Sequence, residues 1–110
     1  MTGPVQCYVA FVTAPDLETA RKISHGALEK KLCACANLVS AVESHYWWQG
    51  KLETSAEVLI IFKMTLRQRE TLREFVLANH PYEVPEFITF AIEHGSADYL
   101  NWVRQSVGSH

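Results

Sequence analysis

The sequence predicts an α+β fold, and three observations carry the prediction. Apolar stretches with the two-residue period of strands occur at Val5–Thr13, Cys33–Trp48, Lys51–Met64 and Glu86–Glu93. Stretches with helical period lie between the first and second of these and between the third and fourth. The two middle stretches are separated only by Gln49-Gly50, a two-residue turn. The order is β-α-β-β-α-β with a helix after it. That is the ferredoxin-like arrangement, an antiparallel sheet with helices on one face, a long central hairpin and a C-terminal helix.

Each element has its own justification. In Val5–Thr13, Val5, Cys7, Val9 and Phe11 alternate with residues that are also largely apolar, so the strand should be buried on both faces. Thr13-Ala14-Pro15-Asp16 ends it, because Pro15 cannot donate to a ladder and Asp16 is a good N-cap. Leu17, Ala20, Ile23, Ala27 and Leu28 then mark a helix over Leu17–Lys31, with Glu18 in its first turn and Lys30 and Lys31 in its last. Cys33–Trp48 and Lys51–Met64 are the arms of the hairpin. Thr65 with Gln68 forms a capping-box pattern, and Leu72, Phe75 and Val76 give a second helix ending near Asn79. Two prolines keep His80-Pro81-Tyr82-Glu83-Val84-Pro85 extended. Ile88, Phe90 and Ile92 alternate in the last strand. Ser96 is a candidate N-cap for a third helix carrying Tyr99, Leu100, Val103 and Val107.

Composition bounds the function. The 110 residues form one domain, 1–110, with small polar tails at 1–4 and 108–110. A net charge of −2 with scattered lysines and arginines excludes a nucleic-acid footprint. The longest apolar run, Val58–Phe62, is far below the ~20 residues of a membrane span. The N-terminus has no signal-peptide pattern. Cys7, Cys33 and Cys35 are an odd set, which points to reduced thiols and a cytoplasmic location.

The hairpin points outward. An arm of about 14 residues reaches ~45 Å, whereas a domain this size has a radius of gyration near ~13 Å. Trp47 and Trp48 are adjacent, so on a strand they face opposite ways. A second copy of the chain would cover such an edge, making a self-associated ring. The alternative is a bulge that buries both indoles locally.

Several segments resemble one known family. Lys31-Leu32-Cys33-Ala34-Cys35-Ala36-Asn37-Leu38, Tyr46-Trp47-Trp48-Gln49-Gly50-Lys51-Leu52-Glu53, Glu57 through Lys63-Met64-Thr65, His80-Pro81-Tyr82-Glu83-Val84-Pro85-Glu86 and Tyr99-Leu100-Asn101-Trp102 follow, in order, the motifs of the CutA proteins of divalent-cation tolerance. The resemblance covers nearly the whole chain. It implies a homotrimer in which the long hairpin packs across neighbouring subunits, with an architecture similar to PII-type signalling proteins. It also implies a part in tolerance of copper and other divalent ions and, by analogy with vertebrate members, protein partners such as acetylcholinesterase. It implies no settled catalysis. The chain departs from the copper-linked pattern of some bacterial members. Val12 stands where they carry a cysteine, and Asn79 where they carry a second histidine.

Candidate metal donors are His80, Glu83 and Glu86, which place nitrogen and carboxylate ligands in one loop, and Cys35, whose i, i+2 spacing from Cys33 suits soft copper. Their ordinary uses are loop packing, solvated carboxylates and small buried hydrophobes. Lys63 needs a carboxylate partner, for which Glu57 or Glu86 is available. Cys7 reads as core, His25 and His45 have no second ligand beside them in sequence, and His94, near Gly95 at a strand end, reads as a surface residue. Tyr46, Trp47, Trp48, Tyr82 and Trp102 are candidates for a cleft or interface between subunits. Copper or another divalent cation is the expected ligand, with no organic cofactor. A scaffold or signalling module is the second reading. Catalysis is disfavoured: the loop at Thr13–Asp16 has neither arginine nor a run of free amides for phosphate, and no nucleophile elbow or P-loop is present.

Overall fold

The computed structural model describes residues 3–108. Its elements are β1 (Cys7–Ala14), α1 (Leu17–Glu29), β2 (Cys35–Trp48), β3 (Lys51–Thr65), α2 (Arg69–Asn79), β4 (Ile88–Ala91) and α3 (Ala97–Ser106), with a 3₁₀ turn at Leu66–Gln68 before α2. The sheet order is β2-β3-β1-β4 and every pairing is antiparallel.

The local chemistry explains most boundaries. The Asp16 carboxylate accepts the Thr19 backbone N–H at 2.7 Å and starts α1. The helix stops at Glu29, before the expected Lys31, because Lys31 turns left-handed at φ 57°. The capping box forms as expected: Gln68 Oε1 accepts the Thr65 backbone N–H at 3.0 Å. It opens the 3₁₀ turn instead of α2 itself. Gln49 and Gly50 both have positive φ, 51° and 81°, the signature of a type I′ hairpin turn. The last strand shrinks from the expected 86–93 to four residues, since only Tyr8–Phe11 of β1 pairs with it.

Alternation on the strands sorts two faces. Ala10, Val12, Ala14, Ile60, Phe62 and Met64 point to one side and pack with Ala20, Ile23 and Ala27 of α1 and Leu72 and Val76 of α2. Gly26 lets the two helices approach, as a Cβ there would lie 2.7 Å from the Phe75 ring. The other side carries Val9, Phe11, Thr13, Leu59, Ile61, Lys63, Ile88 and Phe90. α3 covers only its Cys7 end, where the Cys7 thiol donates to Leu100 O at 3.7 Å. The helices therefore do not all share one face, because the chain crosses the sheet after β4. It crosses back after α3, where Val107 joins the main core. The tails expected at 1–4 and 108–110 lie partly outside the described residues. Gly108 is no tail: its N–H donates to Lys31 O, and its carbonyl accepts from Gln68 Nε2 at 2.7 Å.

The hairpin overhangs the body. The molecule measures 50 × 26 × 22 Å, with a radius of gyration of 14.8 Å. A bulge does occur, between Val39 and Val42, with Ala41 at φ 61°. It lies well before the indoles and does not bury them: Trp47 remains 70% exposed and Trp48 39%.

Candidate functional site

The loop that follows α2 wraps around the end of β1 and meets the base of the overhanging hairpin. His80 anchors it. Its Nε2–H donates to Thr13 O at 2.7 Å, its Nδ1 accepts the Tyr82 backbone N–H at 3.1 Å, and its ring packs against that of Tyr82, 4.7 Å between centroids. Carbonyl and amide together fix the Nε2–H tautomer. Both ring nitrogens are therefore occupied within the chain.

This anchoring aims Tyr82 at β3. Its hydroxyl donates to Glu57 Oε2 at 2.7 Å. Glu57 is only 7% exposed. Burial, then the Glu57 carboxylate, push the Tyr82 phenol up, so it stays a donor at neutral pH. The Glu86 carboxyl is pushed up too, first by partial desolvation and then by the Glu57 charge.

These groups line a cleft of about 830 Å³. Its walls are Thr13, Ser44, Glu57, Pro81, Tyr82, Glu83, Val84 and Glu86, with His45, Tyr46, Trp47 and Trp48 from the hairpin. Tyr46 lies on the same hairpin face as Glu57, with its hydroxyl 3.3 Å from Ser55 Oγ.

Seven residues singled out in the sequence thus meet in one place: Tyr46, Trp47, Trp48, Glu57, Tyr82, Glu83 and Glu86. The others do not join them. His80 lines a different cavity, between α1 and α2. Trp102 stands on α3 against Tyr99, 5.6 Å between ring centroids. Lys63 shares a strand face with Glu57 but lies six residues along β3, about 20 Å away. Its ammonium donates to Asn37 Oδ1, where a carboxylate partner was expected. Cys35 pairs with Lys63 at that same far end, and its thiol donates to Asn37 Oδ1 at 3.6 Å. The expected shared face of Cys33 and Cys35 does not form. Cys33 precedes β2 and turns into the core, where burial pushes its thiol up to about 12. Among the described residues, no three His, Cys, Asp or Glu side chains converge to hold a metal ion. A copper site made from His80 and Cys35 of one chain does not fit this geometry. Of the two departures, Val12 is fully buried in the core and Asn79 donates to Phe75 O at 2.8 Å at the end of α2.

Sequence reasoning missed some of this. Thr13 contributes through its backbone carbonyl, which no side-chain pattern reveals. His45, read as having no second ligand beside it in sequence, lines the cleft and makes two contacts: Nε2 lies 2.6 Å from Glu43 Oε2 and Nδ1 lies 3.1 Å from Thr54 Oγ1. The i, i+2 spacing of Glu43 and His45 was the available signal.

The match to known proteins is extensive. Residues 8–106 fit the family model described as CutA1 divalent ion tolerance protein. The chain is 41% identical over 102 residues to the chloroplastic protein CutA 1 of rice, covering 93% of this chain but only 58% of the rice protein. It is 40% identical over 99 residues to the divalent-cation tolerance protein CutA of Escherichia coli, covering 90% of this chain and 88% of that one. The crystal structure of CutA1 from Oryza sativa superposes with a TM-score of 0.93 at 40% identity, covering 96% of this chain and 97% of that one. The structure of the periplasmic divalent cation tolerance protein CutA from Archaeoglobus fulgidus gives 0.89 at 35% identity, covering 93% and 99%. With a model matching almost the whole chain and relatives this similar, the chain belongs to the CutA1 divalent ion tolerance family.

Proposed function

We propose that the chain is the non-catalytic subunit of a homotrimer serving divalent-ion tolerance, with a cytoplasmic location that suits its free thiols. The observation that carries the assembly is the second sheet face. Phe90, Val9, Lys63 and Cys35 form one row across it, and Ile88, Phe11, Ile61 and Asn37 the next. α3 covers only one end, leaving Ile88 46% and Phe90 48% exposed. A monomer rarely leaves a largely apolar surface of this kind, interrupted only by the Lys63–Asn37 pair, open to water. A symmetric copy has the matching chemistry, and a stable interface needs about 800 Å² from each partner.

Divalent cations in this reading bind at the cleft rim through the exposed carboxylates of Glu83 and Glu86, with further donors from a second subunit. Oxygen donors suit hard or borderline ions better than soft copper(I). The test is calorimetric titration with zinc and with copper(II) on wild type, His80→Ala and a Glu83→Gln/Glu86→Gln double variant, with assembly mass checked by light scattering. Binding weakened about tenfold or more in the double variant alone supports the reading. Binding lost only in His80→Ala transfers the site to the histidine.

A second reading is favoured by the internal use of both His80 nitrogens: a trimeric scaffold or PII-like signalling module that acts through a protein partner or a small ligand. It is distinguished by the absence of metal binding in wild type with the trimer intact.

A further inference from the structure

We propose that the floor of the cleft binds a small organic cation, an alkylammonium or quaternary ammonium group, held between the Glu57 carboxylate and the rings of Tyr46, Trp48 and Tyr82. The starting point is an uncompensated charge. Glu57 is nine-tenths buried, and its one hydrogen-bond partner among the described residues is the neutral Tyr82 hydroxyl. A carboxylate withdrawn from water needs a positive partner or loses its charge. No lysine or arginine lines the cleft, and its one histidine, His45, is engaged by Glu43 and Thr54.

The walls then select the kind of cation. A metal ion needs several donors converging at one point, and no three such groups do so among the described residues. Aromatic rings offer no lone pairs to a metal, but their faces attract ammonium groups, and a carboxylate among rings is how proteins recognise quaternary ammonium. The volume, about 830 Å³, suits a small molecule. The inference depends neither on metal binding nor on the trimer, so the test is run with a chelator present and the assembly mass recorded.

Tryptophan fluorescence of the full chain is titrated with tetramethylammonium chloride and with n-butylammonium chloride, against sodium chloride at equal ionic strength. Trp47 and Trp48 line the cleft and report occupancy. Expected is a saturable change with Kd of about 1 mM or tighter, at least about tenfold weaker in Glu57→Gln. This substitution removes the charge but keeps the side-chain shape and an oxygen for the Tyr82 hydroxyl. If that variant does not fold, the exposed Tyr46→Leu is to show the same loss. No saturation beyond the sodium control, or equal affinity in the variants, overturns the proposal. So does a wild type that binds neither amine while Glu57→Gln falls apart as an assembly, since the cation would then be a lysine or arginine of another copy.

Discussion

Ser24 hides a hydroxyl inside α1, 2% exposed and with no hydrogen-bond partner among the described residues. An unsatisfied buried hydroxyl costs stability and alanine is the better helix former, so Ser24→Ala is expected to stabilise the chain by about 1 kcal/mol in urea denaturation. Glu86 offers a pH-dependent counterpart. Its folded-state carboxyl is raised above its ordinary value near 4.5, so folding favours the protonated form. The resulting penalty is absent below that ordinary value and grows as pH rises through the raised one. Glu86→Gln is therefore expected to lift the thermal midpoint at pH 7 and to lose that advantage below about pH 4.5. Asp16 runs the other way. The Thr19 N–H holds its carboxyl below the usual range, so its help to α1 is present at neutral pH and fades as acid protonates it. At this scale the sequence was informative about residue type and poor about partners. Tyr82 and Glu86 were legible because a proline-fixed loop advertises itself, whereas Glu57 entered only as an expected partner for Lys63. The capture of both His80 nitrogens was not, since one partner is a main-chain carbonyl 67 residues away.

Among the elements, β3 binds the molecule together. It pairs along one edge with β2 and along the other with β1, and its Phe62 is fully buried under α1 and α2. Phe62→Ala is expected to cost about 3–5 kcal/mol, the usual loss for a large core aromatic, read from the midpoint of chemical denaturation. At the far end of the same strand, Gly50 holds φ 81° in the hairpin turn with open space around it. Gly50→Val is expected to destabilise by about 1–2 kcal/mol through backbone strain alone. Strand and helix identity was legible from periodicity for every element. Ends were less so, for physical reasons that periodicity does not encode. α1 ends where Lys31 goes left-handed, and β4 is only as long as its partner allows. The side of the sheet taken by α3 depends on the chain crossing over after β4, a tertiary event with no local signature.

The whole molecule is elongated because its hairpin continues past its core, and it carries an apolar sheet face that its own helices do not cover. The hairpin tip adds to this surface, with Trp47 and its cross-strand partner Leu52 each 70% exposed. The sequence already held this feature, since arms of that length cannot fit over a domain of this size. The proposed self-association would cover both surfaces at once and would set the cleft beside a subunit boundary. The most direct test is the mass of the protein in solution by light scattering at micromolar concentration, for wild type and for Phe90→Asp on the open face. A wild-type mass of about 37.5 kDa, three times the 12.5 kDa of one chain, falling towards the single-chain value in Phe90→Asp, is the result the account requires. A wild-type mass of 12.5 kDa at that concentration would contradict it.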